Sequence, residues 1–511
     1  MSLFWPFLLA CTSSSPEESV VGTGELPPLP PRAAPDLSPA GEPLPVRELR
    51  LALVGEVRGE VEPCGCPTLP YGGFVRRQRL LDELRAEPTP LFHLDAGDTL
   101  LKGFSSTRTD RDARAVAVLD LTAAVGVDAW APGPSDLLAV GLAGIRDAPT
   151  PAISATWASP DGSLALPASI VLERQDVRLG VIGLSAQPSD PSLRELIVQL
   201  DPVDAARAAV AALPEDLDLL IGLGSLPEAD AARVAASVPQ LAAILSTQGG
   251  SYSDPHTPDG GGALLVEAPD RGRYLALLHV RLGSGPGQDL LLAPGAQRWR
   301  ERLTLQQQAR QLGTPALQAS LAETEAAFAA VGTGRNLAHL DAIPLSDAYD
   351  GPTAVADTVS SFKEEVLAQA SATAAQDLTP LEPGYASSGG CINCHTAEFS
   401  RWTFTDHARS AWMSLVARDA VENPECIGCH TTGFGEVGGF GELTGANLRK
   451  YKAVQCEACH GPLRGHPEAP SVSARPITEA TCVGCHDAAN SPDFDFETYL
   501  RRATCQEPGS P

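Results

Sequence analysis

Four pentapeptides of one pattern stand late in this chain of 511 residues: "CINCH" (Cys391, Cys394, His395), "CIGCH" (Cys426, Cys429, His430), "CEACH" (Cys456, Cys459, His460) and "CVGCH" (Cys482, Cys485, His486). On one helical turn, thiols three residues apart share a side, and a histidine four residues after the first joins them. That places two sulfurs at the vinyl edge of a porphyrin and an imidazole nitrogen on its iron, the requirement for c-type haem attachment. A structural zinc site needs four N/S ligands closing a tetrahedron, and four units that each carry a histidine do not divide into such sites. A thioredoxin-like redox pair needs one motif in a βαβ setting. The spacing therefore predicts four covalently bound haems. The eight cysteines are the attachment points, and His395, His430, His460 and His486 are the proximal iron ligands.

Each iron has a second axial position. Ten histidines are present, and the six outside the pentapeptides are His93, His256, His279, His339, His407 and His466. Only His407, in "FTDHARSAW", and His466, after "CEACHGPLRG", lie in the haem stretch, so they are the candidate distal ligands. Met413 is one of two methionines in the chain. Two histidines do not cap four irons, so at least one haem is expected to be open or unusually capped. Cys505, in "ETYLRRATCQ", is a candidate thiolate ligand. Its alternatives are an unpaired tail thiol and a disulfide to Cys64 or Cys66.

The elements that must position these groups follow from the rest of the chain. "MSLFWPFLLAC" is a short apolar run ending in a small residue before Cys11, which resembles the lipobox of bacterial lipoproteins. It predicts a signal segment over 1–10, lipid on Cys11, and a Pro/Ser-rich tether over 11–46 that cannot bury a core. Thr12 after Cys11 points to the outer membrane. Between 47 and 295, apolar runs such as "LRLALV", "VRLGVIGLS" and "DLDLLIGLG" alternate with helical patterns such as "VDAARAAVAAL" and "EADAARVAASV". That texture predicts an α/β domain with a largely parallel sheet, closed by "ALLVEAP" and "YLALLHVRLG" as an antiparallel pair at the edge. Residues 296–380 read as a helical connector, and 381–511 as a mainly helical, loop-rich haem domain. No run after the first is long enough to span a bilayer.

Bulk properties agree with a folded chain. Hydrophobic residues make up 43%, enough for real cores, and the formal charge of −26 argues against a nucleic-acid partner, since phosphates would be repelled.

Two resemblances can be named on these residues. "YASSGGCINCH", "FSRWTFTDHARSAW", "NPECIGCHTTGFG", "VQCEACHGPLRGH" and "NSPDFDFETYL" resemble the tetrahaem cytochrome c family of the hydroxylamine-oxidation electron-acceptor type. The resemblance implies haem-to-haem electron transfer between redox protein partners, and a histidine where Cys505 stands. Upstream, "GEVRGEVEPCGCPTLPYGGFVRRQRLLDELR" and "FHLDAGDTL" resemble the metallophosphoesterase and 5′-nucleotidase superfamily, which implies an α/β sandwich. Of that superfamily's metal ligands, the bridging aspartate matches Asp98. The other positions hold Gly55-Glu56-Val57-Arg58, Gly133-Pro134-Ser135-Asp136, Gly224-Ser225 and Ser246-Thr247-Gln248, a set that does not hold two metals. Cys64 and Cys66 form a loop that could bind a soft metal, bridge to Cys505 or reach a haem edge.

The expectation is an exported tetrahaem electron-transfer lipoprotein, facing the periplasm of a bacterial cell envelope, with a phosphoesterase-like docking domain that is not catalytic. The alternatives are an oxidoreductase acting on a small nitrogen or sulfur compound at an open haem, and a metal-dependent phosphoesterase.

Overall fold

In the computed structural model the described residues are 47–503, without 64–69, 102–110, 248–253, 284–289, 293–301, 303–304, 306–307, 309–313, 333–335, 377–383, 470–471, 488–489 and 492. Cys11, Cys64, Cys66 and Cys505 lie outside the described residues.

Two mixed sheets stack face to face. The first has the order β12 (Leu290–Leu292), β13 (Asn336–Pro344), β11 (Tyr274–Arg281), β1 (Glu48–Val54), β2 (Leu91–Asp95) and β3 (Ala129–Trp130). The second runs β10 (Leu264–Glu267), β9 (Ala243–Ser246), β8 (Leu219–Gly224), β6 (Val177–Leu184) and β5 (Ser169–Arg174). Side chains alternate across each strand. Leu49, Leu51 and Leu53 of β1 therefore meet Val181, Ile221 and Leu245 between the sheets, while Ala52 and Val54 face outward onto helices. Those helices are α1 (Phe74–Arg85), α2 (Arg111–Ala124), α3 (Pro134–Arg146) and the later helix Ala356–Ala374. On the far side, α4 (Pro202–Ala211) and α5 (Glu228–Ser237) cover Ile182, Leu184 and Ile244 with Ala206, Ala209, Val234 and Ala235. Burying each Leu, Ile or Val contributes about 1.5–3 kcal/mol. Strands apolar on both faces hold the centre of this four-layer arrangement.

Two expectations change. Expected as one hairpin at an edge, "ALLVEAP" and "YLALLHVRLG" are separated. β10 lies in the second sheet, parallel to β9, and β11 lies inside the first, antiparallel to both β1 and β13. The reason is that β11 is apolar on both sides: Leu275 and Leu277 enter the outer core and Ala276, Leu278 and Val280 the inner one. The turn Asp270–Gly272 carries the chain across, with Arg271 at φ 55°. The stretch read as a helical connector likewise supplies a strand, β13, which completes the sheet beside β11. Its nine residues alternate too briefly between helical patterns to stand out.

The helix Ala356–Ala374 joins the sandwich to the haem region. Val359, Phe362 and Val366 pack into the outer core, while Leu367 packs against a separate small cluster of Tyr385, Leu415, Ile427, Phe440 and Tyr451. Among the described residues no helix is long and apolar enough to cross a membrane.

Candidate haem-binding region

Each pentapeptide winds into a turn. In the first, Cys394 and His395 donate their N–H groups to the carbonyl of Cys391 at 3.2 and 2.9 Å. In the fourth, Cys485 and His486 do the same to Cys482 at 3.0 and 2.8 Å. The second lies in the helix Pro424–His430, whose start is fixed by Asn423 accepting from the N–H of Glu425 at 2.8 Å and by Pro424 at the first position. The third is the helix Cys456–His460. Arg475 closes its far end, donating to the carbonyls of Cys459 (2.9 Å) and Ala458 (3.0 Å). Among the described residues none of these eight cysteines forms a disulfide, and all are half-buried or exposed.

One carboxylate ties the first turn to the third. Glu457, inside the third pentapeptide and 1% exposed, accepts from the N–H groups of Ser387 (2.7 Å), Ala386 (2.9 Å) and Leu463 (2.8 Å). Gln455 accepts from Ser388 at 2.7 Å. The two first cysteines then meet: a hydrogen bond from Cys456 is the chief cause that lowers the Cys391 thiol pKa.

The second and fourth turns meet around His407. That residue lies on the helix Asp406–Val416, capped by Thr405. Its ring is 5.9 Å from that of His486. Burial lowers its pKa, with Asp406 opposing and His430 adding to the shift. Burial also lowers that of His486, followed by the fields of His407 and His430. Neutral imidazole is the form that binds a metal. Nδ1 of His430 faces the carbonyl of Ala411. A carbonyl only accepts, so Nδ1 carries the proton and Nε2 the lone pair, the tautomer an iron ligand needs. Nδ1 of His486 is bonded to the hydroxyl of Ser491 at 2.8 Å, and Phe494 stacks on its ring at 5.6 Å. His466 is exposed, with Nδ1 3.3 Å from the carbonyl of Val472.

These residues fit c-type haem. The small cluster of five side chains cannot fill the region, and large apolar groups stay uncovered around the turns: Phe404 is 69% exposed, Met413 58% and Val416 49%. Flat apolar groups held on the thiols would cover such surface. Among the described residues, the buried Nδ1 of His460 has no hydrogen-bond partner. Glu457 and Arg475 were not legible as site residues, because backbone-directed contacts leave no spacing signature.

In the Asp98 region two carboxylates bond to backbone N–H groups. Asp98, at φ 54°, accepts from the N–H of Ser135 at 2.8 Å. Asp136 accepts four N–H groups, from Asp98, Thr99 and Leu100 at 2.8 Å and Gly133 at 2.9 Å. A Cβ on Gly133 would lie 2.4 Å from Asp98 Cγ. Burial raises the pKa of Asp98, against the bonds from Ser135, and raises that of Asp136 to about 8, helped by Asp98. These carboxylates lock two loops together. Among the described residues no group of three or more His, Cys, Asp or Glu side chains is placed to hold a metal ion.

Fold and site together are an α/β sandwich joined to a helical region of Cys-x-x-Cys-His turns. Residues 390–461 match the family described as Cytochrome c554 and c-prime. Over 89 residues the chain is 34% identical to Cytochrome c-554 of Nitrosomonas europaea, covering 14% of this chain; it spans 37% of the length of that relative. Solved structures similar in fold include a 5′-nucleotidase precursor from Thermus thermophilus, 16% identical with a TM-score of 0.45, over 70% of this chain and 66% of that one. Sulfate thiohydrolase SoxB of Thermus thermophilus, in complex with glycerol, is 17% identical at TM-score 0.46, over 67% and 64%. Calcineurin-like phosphoesterase YfkN of Bacillus subtilis is 13% identical at TM-score 0.43, over 63% and 97%. Likeness at this level says nothing of activity.

Proposed function

We propose that the chain is an exported electron carrier holding four c-type haems, one per pentapeptide, with lipid on Cys11 anchoring it to the periplasmic side of the outer membrane. The α/β sandwich serves as a docking scaffold without hydrolase activity. The carrying observation is the local geometry of the four turns, each presenting two cysteines three residues apart with a histidine directly following. Haem bound there supplies one-electron redox chemistry. This chain's part is to fix and shield: the thiols anchor, His395, His430, His460 and His486 ligate, and His407 and His466 stand as second axial ligands. Phe494 and Tyr499 cover the His486 ring, at 5.6 and 5.1 Å. The match to cytochromes supports redox proteins as partners.

Expression in a host that attaches haem c, followed by intact mass and a visible spectrum, tests this. The expected product exceeds its polypeptide mass by four haems and shows a Soret band. A product at polypeptide mass alone overturns the proposal. Membrane fractionation of wild type against Cys11→Ala tests the anchor.

A second reading, an oxidoreductase acting on a small nitrogen or sulfur compound at an open haem, has one observation in its favour. His407 gathers with His486 and His430, while His395 and His466 are exposed. A high-spin ferric resonance that changes on adding nitric oxide supports this reading. Spectra that are low-spin throughout remove it.

A further inference from the structure

Two buried arginines of the sandwich reach the haem-binding turns. Arg114, on α2 and 4% exposed at its side chain, pairs with Glu425, 5% exposed, the residue directly before Cys426. Its guanidinium also donates to the carbonyl of Gly59 at 2.6 Å and sits 5.1 Å over the ring of Phe362. Arg271, likewise 4% exposed, pairs with Glu60 and, at 3.3 Å, with Asp487. Asp487 directly follows the iron ligand His486, and accepts from the N–H of Asn490 at 2.8 Å. Lys363 pairs with Glu62 at 3.0 Å, and Glu425 lies close enough to help raise the Glu62 pKa, after burial, against Lys363. The loop from Glu56 to Glu62 thus underlies the second and fourth turns.

We propose that Arg114 and Arg271 are positioning residues that set the reduction potentials of the haems on the second and fourth turns, by neutralising Glu425 and Asp487 beside them. This rests on the haem assignment above. A carboxylate buried next to a redox centre stabilises the oxidised, more positive state, because little solvent screens it. A guanidinium bonded to that carboxylate cancels most of its field. Both carboxylates belong to the haem-binding turns, and both cations come from the sandwich. The sandwich is then part of the redox machinery.

Spectroelectrochemical titration of the purified holoprotein tests this, with haem count taken by mass on the same samples. Arg114→Met is expected to lower one midpoint potential, Glu425→Gln to raise the same one, and the double variant to return near wild type. Arg271→Met and Asp487→Asn are expected to act likewise on a second haem. Arg114→Lys, which keeps the charge, should shift it less than Arg114→Met. A structural role alone would move both single variants of a pair in the same direction. That result, or unmoved potentials with haem count intact, overturns the proposal. If Arg114→Met does not accumulate, the upward shift in Glu425→Gln still decides. Wild type without haem would instead sink the parent assignment.

Discussion

Ser387 donates its backbone N–H to the carboxylate of Glu457 at 2.7 Å, and that bond holds the first pentapeptide turn against the third. The donor is the residue that leads into Ser388–Cys391, and the acceptor stands inside "CEACH". Ala386 and Leu463 bond to the same carboxylate, so one buried anion organises three backbone donors. The pentapeptide turns have little apolar side chain to hold them, and such polar ties take its place.

Glu457→Ala is expected to destabilise the haem region by about 2–3 kcal/mol, since buried donors lose a charged acceptor. Denaturant unfolding followed through the Soret band measures it. An unchanged midpoint would refute the role of Glu457.

The pH dependence of the sandwich follows from Asp95. Burial raises its pKa from 3.8 to about 6, against the bonds from Gly97 and Thr99 and the charge of Arg77. A carboxyl raised on folding contributes stability below its unfolded pKa and loses it as pH rises through the folded value. Asp95→Asn removes that loss. The variant's unfolding free energy relative to wild type should therefore grow by ~2.4 kcal/mol between pH 4 and 7. Melting curves across that range check it, and a flat difference counts against it.

His407→Ala is expected to convert one haem from low to high spin, read by electron-spin resonance of the oxidised protein. His407→Met should retain a low-spin iron with a raised potential. Spin states identical to wild type in both variants would remove His407 as an axial ligand.

Phe362 is 3% exposed, in the outer core beneath the Arg114 guanidinium. Phe362→Ala is expected to cost about 3–5 kcal/mol and to loosen the second turn with the sandwich. Hydrogen exchange at residues 424–430 reports this coupling. Protection there equal to wild type would show the two regions to be energetically separate.

Local spacing carries the haem prediction. Two thiols and a following imidazole form a unit within five residues, so "CINCH" and its three counterparts could be read without knowing what surrounds them. The same holds for β1, β6 and β8, whose apolar runs are long enough to declare themselves. Expectations failed where an element's place depends on its neighbours. β11 became central because both of its faces are covered, and β13 was hidden between two helices, since strand partners are remote in sequence.

Residue types and their order along the chain were thus sufficient to predict four pentapeptide turns of one pattern and the alternation of strand and helix. Tertiary structure alone decided that Glu457 joins turns one and three, that His407 meets His486, and that Arg114 and Arg271 cross from the sandwich to Glu425 and Asp487. The physical reason is range. Attachment chemistry is satisfied within a single helical turn, whereas a buried charge takes whichever partner folding brings within hydrogen-bond reach, and Arg114 found its partner 311 residues away.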